Sequence, residues 1–391
     1  MKQSRLQRAL NWLTGPVPTS VVIAFVIGAV FIMIAGSDPI SGYQSMFRGS
    51  FGSGLGIANT IQRAIPLVGM ALAIAVAFRA GVINLGAEGQ MILGGLVGVL
   101  VVLYVPGPPL LVMALACVAG TSAGALWALI PALFQSWPGV PVLIASLLLN
   151  YPARYFSSWM VRFPLKDPGS SMVATDSFPA GTQIPLFASP SSGLGQTLLD
   201  NLGKDNVLTI AGRTVNWSFA VVALLVVAVM FMNSRTKFGF ESGMHGFNAN
   251  FARYSGVHSG RLTAQTMLLS GGIAGLMGVM FAIGAPNNRL MDGQILETNY
   301  AWTGLLVALL ALYRPSGVLI GGIFFAGIIA GSGAMGRDLS MSPQIAAVIQ
   351  GIVIILIAFR VQIPVRRRRT SSEVVEARME HDQAEEEVGR V

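Results

Sequence analysis

Charge is what this chain has least of. Only 11% of its 391 residues are Asp, Glu, Lys or Arg, while 53% are hydrophobic; soluble globular chains carry about 25% charged residues. The deficit falls in recurring long apolar runs, which excludes an ordinary soluble domain and points to an all-α polytopic membrane protein. Cysteine is nearly missing too. Cys117 stands alone in an apolar run, so no intrachain disulfide can form. There is no Gly-xxxx-Gly-Lys-Ser/Thr loop to cradle a nucleotide phosphate, so the chain does not hydrolyse nucleotide by that route. The three histidines, His245, His258 and His381, lack paired metal-ligand spacing. Neither a Gly-x-Ser-x-Gly elbow nor a His-Glu-x-x-His pair occurs. An intramembrane enzyme would need a nucleophile or paired catalytic groups at depth, and none is available. No catalytic residue, metal site or cofactor of its own is expected.

What is abundant is glycine, 46 residues in all. Pairs such as Gly120-xxx-Gly124, Gly271-xxx-Gly275 and Gly327-xxx-Gly331 are suited to helices packed closely through small residues. The net charge of +8 comes from basic residues clustered at the ends of apolar runs. That placement reads as anchoring to the inner membrane face and its lipid, not as nucleic-acid binding. Lys2, Arg5 and Arg8 precede the first run, and no small-residue cleavage site follows it. The first run is therefore expected to be retained.

About ten transmembrane helices can be drawn: Ser20–Ala35, Ile57–Phe78, a third ending near Tyr104, Leu110–Phe134, Val140–Val161, Trp217–Met232, Leu262–Gly284, Tyr300–Tyr313, Val318–Gly331 and Gln344–Phe359. The last three are short or glycine-interrupted and predict broken helices. Turns are expected at Pro106–Pro109 and Trp137–Gly139. With both ends inside, Arg79, the Arg235–Arg261 loop, Arg314 and Arg366–Arg369 all fall on the cytoplasmic side. The chain then divides into a cytoplasmic segment 1–19, a transmembrane domain 20–361 and a charged cytoplasmic tail 362–391. That tail, after Arg369, holds seven of the seventeen acidic residues.

Two connections are too long to be simple turns. The outer one, 162–216, is either a fold over the pore mouth, a partner-docking element or a disordered insertion. The inner one, 233–260, contains Asn248–Tyr254, which alternates as a short surface helix capped by Asn248 and stopped by Gly256. It serves either as interfacial padding or as a docking surface for a soluble subunit.

Glu88 is the one carboxylate within the long apolar region, in Gly81-Val-Ile-Asn-Leu-Gly-Ala-Glu-Gly-Gln90. The apolar run after it, Met91–Val105, makes a helix of roughly 22 Å, short of the roughly 30 Å hydrocarbon core. Part of this polar stretch must then sit at membrane depth, where irregular backbone survives only inside protein or beside a watery cavity. Polar candidates for a path or gate are Asn59 and Arg63, Asn84, Glu88 and Gln90, Asn150, and Trp302. Few are charged, which favours a polar, neutral cargo. Arg63 and Arg154 can instead snorkel to the outer surface. Glu88 is open to two readings, a transport residue or a carboxylate held by the amides at the start of its helix. Its position just after Arg79 suggests a hinge or inner gate.

Arg79–Gln90 resembles the Asn-Ile-Gly-x-Glu-Gly-Gln signature of membrane permeases of bacterial ATP-binding-cassette importers, the branch serving ribose-type sugars, branched-chain amino acids and nucleosides. Leu148-Leu-Asn-Tyr-Pro-Ala153, followed by Pro164-Leu-Lys-Asp-Pro-Gly169, is similar to the nucleoside and simple-sugar subgroup. Gly246–Val257 resembles the cytoplasmic segment on which the ATPase docks, and Tyr300–Phe359 the C-terminal spans. Two departures stand out: Val140-Pro-Val142 where the subgroup has Asn-Glu-Val, and Gly243-Met-His-Gly246 where it has Arg-Ala-x-Gly. The resemblance implies an ATPase subunit that uses the ATP, a second permease subunit, identical or homologous, and an extracytoplasmic solute-binding protein. It implies coupling through Gly246, Asn248, Ala252, Arg253, Tyr254 and Gly256, and a place in the bacterial inner membrane. The expected cargo is a nucleoside, with a simple sugar or branched-chain amino acid as alternatives. A secondary transporter would need coupling carboxylates at the midplane, and only Glu88 is there.

Overall fold

A computed structural model describes residues 16–34, 36–135, 140–189, 192–340 and 351. Among them the fold is helical: α1 (Pro16–Ile34), α2 (Pro39–Ser50), α3 (Gly54–Arg79), α4 (Ala87–Tyr104), α5 (Pro109–Phe134), α6 (Val142–Leu148), α7 (Asn150–Arg162), α8 (Gly193–Leu202), α9 (Val207–Thr214), α10 (Ser218–Arg235), α11 (Lys237–Phe247), α12 (Ala249–Tyr254), α13 (Ser259–Ile283), α14 (Tyr300–Leu310) and α15 (Pro315–Asp338). The Trp137–Gly139 turn, the tenth expected span apart from Gly351, the Arg366–Arg369 cluster and the tail lie outside the described residues.

Six helices, α3, α4, α5, α10, α13 and α15, are long and apolar enough to cross a membrane. Residues Phe25–Ile34 and Pro39–Ser50, bent by 116°, make a seventh candidate as a pair. The expected span Val140–Val161 is instead two short helices, α6 and α7, meeting at Leu149. Pro152 explains the break, since it has no N–H to give the Leu148 carbonyl and its ring clashes there. α14 is short, as its sequence suggested, at eleven residues or about 16 Å, whereas the ninth expected span, read as short and glycine-interrupted, is one unbroken helix, α15, of 24 residues.

At the centre, α13 is packed against α4, α5 and α3. Hydrocarbon chains are as apolar as leucine, so helices in lipid associate by close packing and not by a hydrophobic drive. Glycines supply that closeness. A Cβ on Gly124 or Gly271 would run into the other's backbone carbonyl, and one on Gly278 into the Met91 carbonyl. Most of α3 and α13 is consequently buried, whereas α5 and α10 turn most of their apolar surface outward. The third expected pair acts elsewhere. Gly327 and Gly331 make room for Phe51 and for Met46 of α2.

The long connection 162–216, expected on the outer side, contains, among its described residues, α8 and α9, which the sequence did not announce. It is stitched to the segment following α13. Thr175 N donates to Leu290 O at 2.9 Å and Phe178 N to Asn288 O at 2.8 Å. Arg289 pairs with Asp167 at 3.3 Å, and Arg162 with Asp292 at 2.5 Å. From there residues 290–298 turn inward until the Ile295 side chain reaches Gly95, midway along α4. The three isolated antiparallel bridges, Lys166–Thr175, Ala174–Met291 and Leu186–Asn216, all belong to this outer layer.

Candidate functional site

The polar stretch between α3 and α4 is an irregular strap buried in protein. Gly81, at φ +72°, makes the turn out of α3, a backbone angle that L side chains rarely adopt. Asn84 is fully buried, and Gln90 is 1% exposed. Their carboxamides pair reciprocally, Asn84 Nδ2 to Gln90 Oε1 at 2.9 Å and Gln90 Nε2 to Asn84 Oδ1 at 3.0 Å. Asn84 Nδ2 also reaches Ser270 Oγ on α13 at 2.9 Å, and that hydroxyl donates to Ala73 O on α3 at 2.7 Å. Asn84 Oδ1 accepts from Gly86 N at 3.0 Å. Asn150, at the start of α7, closes the far end: its Oδ1 takes Gly89 N at 2.9 Å and its Nδ2 donates to Leu85 O at 2.8 Å. Ser146 on α6 accepts from Leu85 N at 3.2 Å. Asn84, Gln90 and Asn150 are thus spent on one another and on the strap. A buried polar network that is fully satisfied rigidifies its surroundings, and opening it exposes unpaired groups at about 1–3 kcal/mol each.

Glu88 points away from this network. Its Oε2 accepts from Trp302 Nε1 on α14 at 2.8 Å, and Arg154 Nη2 on α7 lies 3.9 Å from Oε1. The carboxylate is therefore held by an indole and a guanidinium in addition to the favourable dipole at the start of α4. Arg154, free by sequence to snorkel outward, instead faces Glu88. The Glu88 side chain is 16% exposed, Arg154's 41%, and Trp302 is exposed as well. Through Glu88, Asn150 and Arg154, the N-terminus of α4 is tied to α7 and α14 at once.

Two cavities flank the inward-turning segment 290–298, and Gln294 lines both. One, about 420 Å³, is charged, with Arg154, Arg162, Asp292 and Glu297 in its wall. The other, about 340 Å³, lies among α3, α10, α13 and α14 and includes Asn59, Arg63 and Tyr300. Asn59 and Arg63 accordingly sit in a different compartment from Glu88.

At the other end of the strap, α11 lies directly on the α3–α4 turn. A Cβ on Gly246 would strike the Arg79 carbonyl, and Gly81 lies against the Gly246 Cα. His245 Nδ1 donates to Ala80 O at 2.8 Å. The short helix read from the sequence is present as α12, with the Asn248 side chain accepting from Phe251 N at 3.0 Å. Gly256 follows it at φ +88°. Ala252 is buried against Val257 and Leu262, so α12 is fixed to the start of α13. Arg253 is exposed. The aromatics point outward: Phe247 is 94% exposed, Tyr254 92%, and Phe240 and Phe251 are exposed beside them. Four exposed rings on one short segment are more than scattered surface apolarity requires and mark a contact surface.

Sequence reasoning missed Ser146, Ser270 and the 285–299 segment. The two serines carry no individual signal. The segment did, since Asn287, Asn288, Arg289, Asp292, Gln294 and Glu297 crowd between two apolar runs.

Residues 56–358 match the family described as branched-chain amino acid transport system / permease component. The chain is 28% identical over 342 residues to the nucleoside ABC transporter permease protein NupB of Lactococcus lactis, covering 87% of this chain and 89% of that one. It is 27% identical over 341 residues to the guanosine ABC transporter permease protein NupP of Bacillus subtilis, covering 87% and 91%. It is also 28% identical over 360 residues to the glucose ABC transporter permease protein TsgB13 of Haloferax volcanii, covering 88% and 87%.

Proposed function

The chain belongs to the branched-chain amino acid transport system / permease component family, and from that premise we propose that it forms the translocation path of an ATP-binding-cassette importer for nucleosides. The cargo rests on two relatives of similar extent, whose names specify nucleoside and guanosine. A simple sugar is the second reading, supported by the glucose permease relative. In this reading ATP is used by a separate ATPase subunit, a second permease subunit completes the pore, and an extracytoplasmic binding protein delivers the solute. The chain crosses the bacterial inner membrane about ten times with both ends in the cytoplasm, and holds no cofactor.

The observation that carries the mechanism is the seat of α11 on the Arg79–Gly81 turn. An ATPase gripping Phe247, Phe251 and Tyr254 moves α11 and α12 as it closes on nucleotide. Gly246 and His245 pass that displacement to Gly81 by backbone contact, and the Asn84–Gln90–Asn150 network is stiff enough to carry it to the N-terminus of α4. There Glu88 connects α4 to Trp302 and Arg154, so its two contacts are the ones that change between outward- and inward-open states. The test is co-purification of the ATPase with the intact chain. Replacing Gly246 by Val and Tyr254 by Glu is expected to abolish it. Uptake by reconstituted protein without any ATPase or ATP would overturn the reading.

A further inference from the structure

The smaller cavity differs from its neighbour in chemistry. Its wall carries no carboxylate, and Arg63 is its one formal charge. Arg63 lies near the Tyr300 hydroxyl. Five carboxamides line it: Asn216, Asn287 and Gln294 are already hydrogen-bonded to Gly284 O, Met291 Sδ and Met291 N, which leaves Asn59 and Gln62 on α3 as the pair open to a ligand. Ser218, 2% exposed at the start of α10, also lines the cavity, and its hydroxyl has no hydrogen-bond partner. A buried hydroxyl left unpaired costs free energy and calls for an occupant. Nearby, Pro66 has no N–H to give the Gln62 carbonyl one turn back, so that acceptor lacks its usual helical donor. Ile65, Met280 and Phe281 add an apolar and aromatic part to the lining. Phe281 stands edge-on to Tyr300, ring centres 5.7 Å apart.

A cavity of this size, lined by apolar and aromatic side chains with a few polar groups, has the make-up of a small-molecule site. We infer that this chamber takes the base of a nucleoside. The inference rests on the importer reading and adds where in the chain, and by which end, the cargo is recognised. Carboxamides present a donor and an acceptor side by side and match the edge of a heterocyclic base two atoms at a time, and a guanidinium matches adjacent ring-nitrogen and carbonyl acceptors. Aromatic rings stack on a flat base. Arg63 is donor-only and Ser218 adds a hydroxyl, so bases bearing carbonyl oxygens, oxopurines and uracil, fit better than adenine. One guanidinium cannot balance a phosphate dianion taken out of water, so nucleotides are excluded. The charged cavity beyond Gln294 then serves passage, not selection of the base.

The experiment uses the complete transporter in membrane vesicles supplied with ATP. Uptake of labelled guanosine should be competed by inosine and uridine, and neither by ribose nor by guanosine monophosphate. Gln62→Leu should raise the KM for guanosine about tenfold or more, as expected for a lost paired contact to a base edge. An unchanged KM overturns the chamber. Photolabelling of the unsubstituted protein with an 8-azidopurine nucleoside provides a readout independent of any variant's folding. Label on Met280, Phe281 or Tyr300 supports the assignment. Label confined to the Arg154–Glu297 cavity, or none while guanosine uptake persists, overturns it. Uptake of a sugar with no nucleoside competition overturns the importer's cargo as well, which separates that failure from failure of the chamber alone.

Discussion

Asn150 and Glu88 both sit beside the N-terminus of α4, yet the structure gives them opposite kinds of work. Asn150 satisfies Gly89 N and Leu85 O, two buried backbone groups that lie deep in protein. Asn150→Ala strands both, and a loss of roughly 2–4 kcal/mol is expected from the cost of each orphaned group; the check is thermal unfolding of the purified chain. Glu88 makes one good hydrogen bond and one long, half-exposed ion pair, worth at most about 1 kcal/mol after solvent screening. Glu88→Gln keeps an oxygen for Trp302 and loses the charge facing Arg154. It should leave the unfolding midpoint and ATPase co-purification near those of the parent while reducing uptake; normal uptake would reduce Glu88 to a capping residue. That Glu88 stands alone as a carboxylate within the long apolar region was legible in the sequence. That an indole 214 positions away would hold it was not.

At the scale of elements, two contacts between helices decide how the molecule can move. Gly124 and Gly271 bring α5 and α13 to backbone contact, so Gly124→Leu should cost roughly 1–3 kcal/mol by overpacking, read as a lower unfolding midpoint. Gly260, near the start of α13, has nothing within 4 Å of where a Cβ would stand; Gly260→Ala serves as the neutral control. The α12 helix was fully legible, because an Asn cap, a short amphipathic run and a glycine stop are all local signals. The division of the expected fifth span into α6 and α7 was not legible in the sequence, which suggested one continuous span. Pro152 is a local cause of the break, but the use of the break, to seat Asn150 against the strap, depends on a partner 61 to 65 residues distant. α8 and α9 went unread because their apolar patches are short and become meaningful only on the outer layer.

For the molecule as a whole, orientation is the expectation with the cleanest test. In a chain whose Cys117 is replaced by alanine, Ser234→Cys should react with a membrane-impermeant maleimide only after the cytoplasmic face is opened, and Met172→Cys from outside in intact cells. Reaction of the two from the same side would overturn the inside placement of the α10–α11 connection. The sequence by itself determined the class: few charges, long apolar runs and small-residue spacing leave no alternative to packed helices in a membrane, and the Arg79–Gln90 and Gly246–Val257 motifs carried the family. Those are properties of composition and of neighbours along the chain. Only the tertiary structure decided how the seven candidate path and gate residues divide. Three close a structural network, two form a contact linking α4 to α14, and two line a separate chamber. The physical reason is that a polar group at membrane depth must find a partner or a cavity, and sequence reports the need without saying which of the two will meet it.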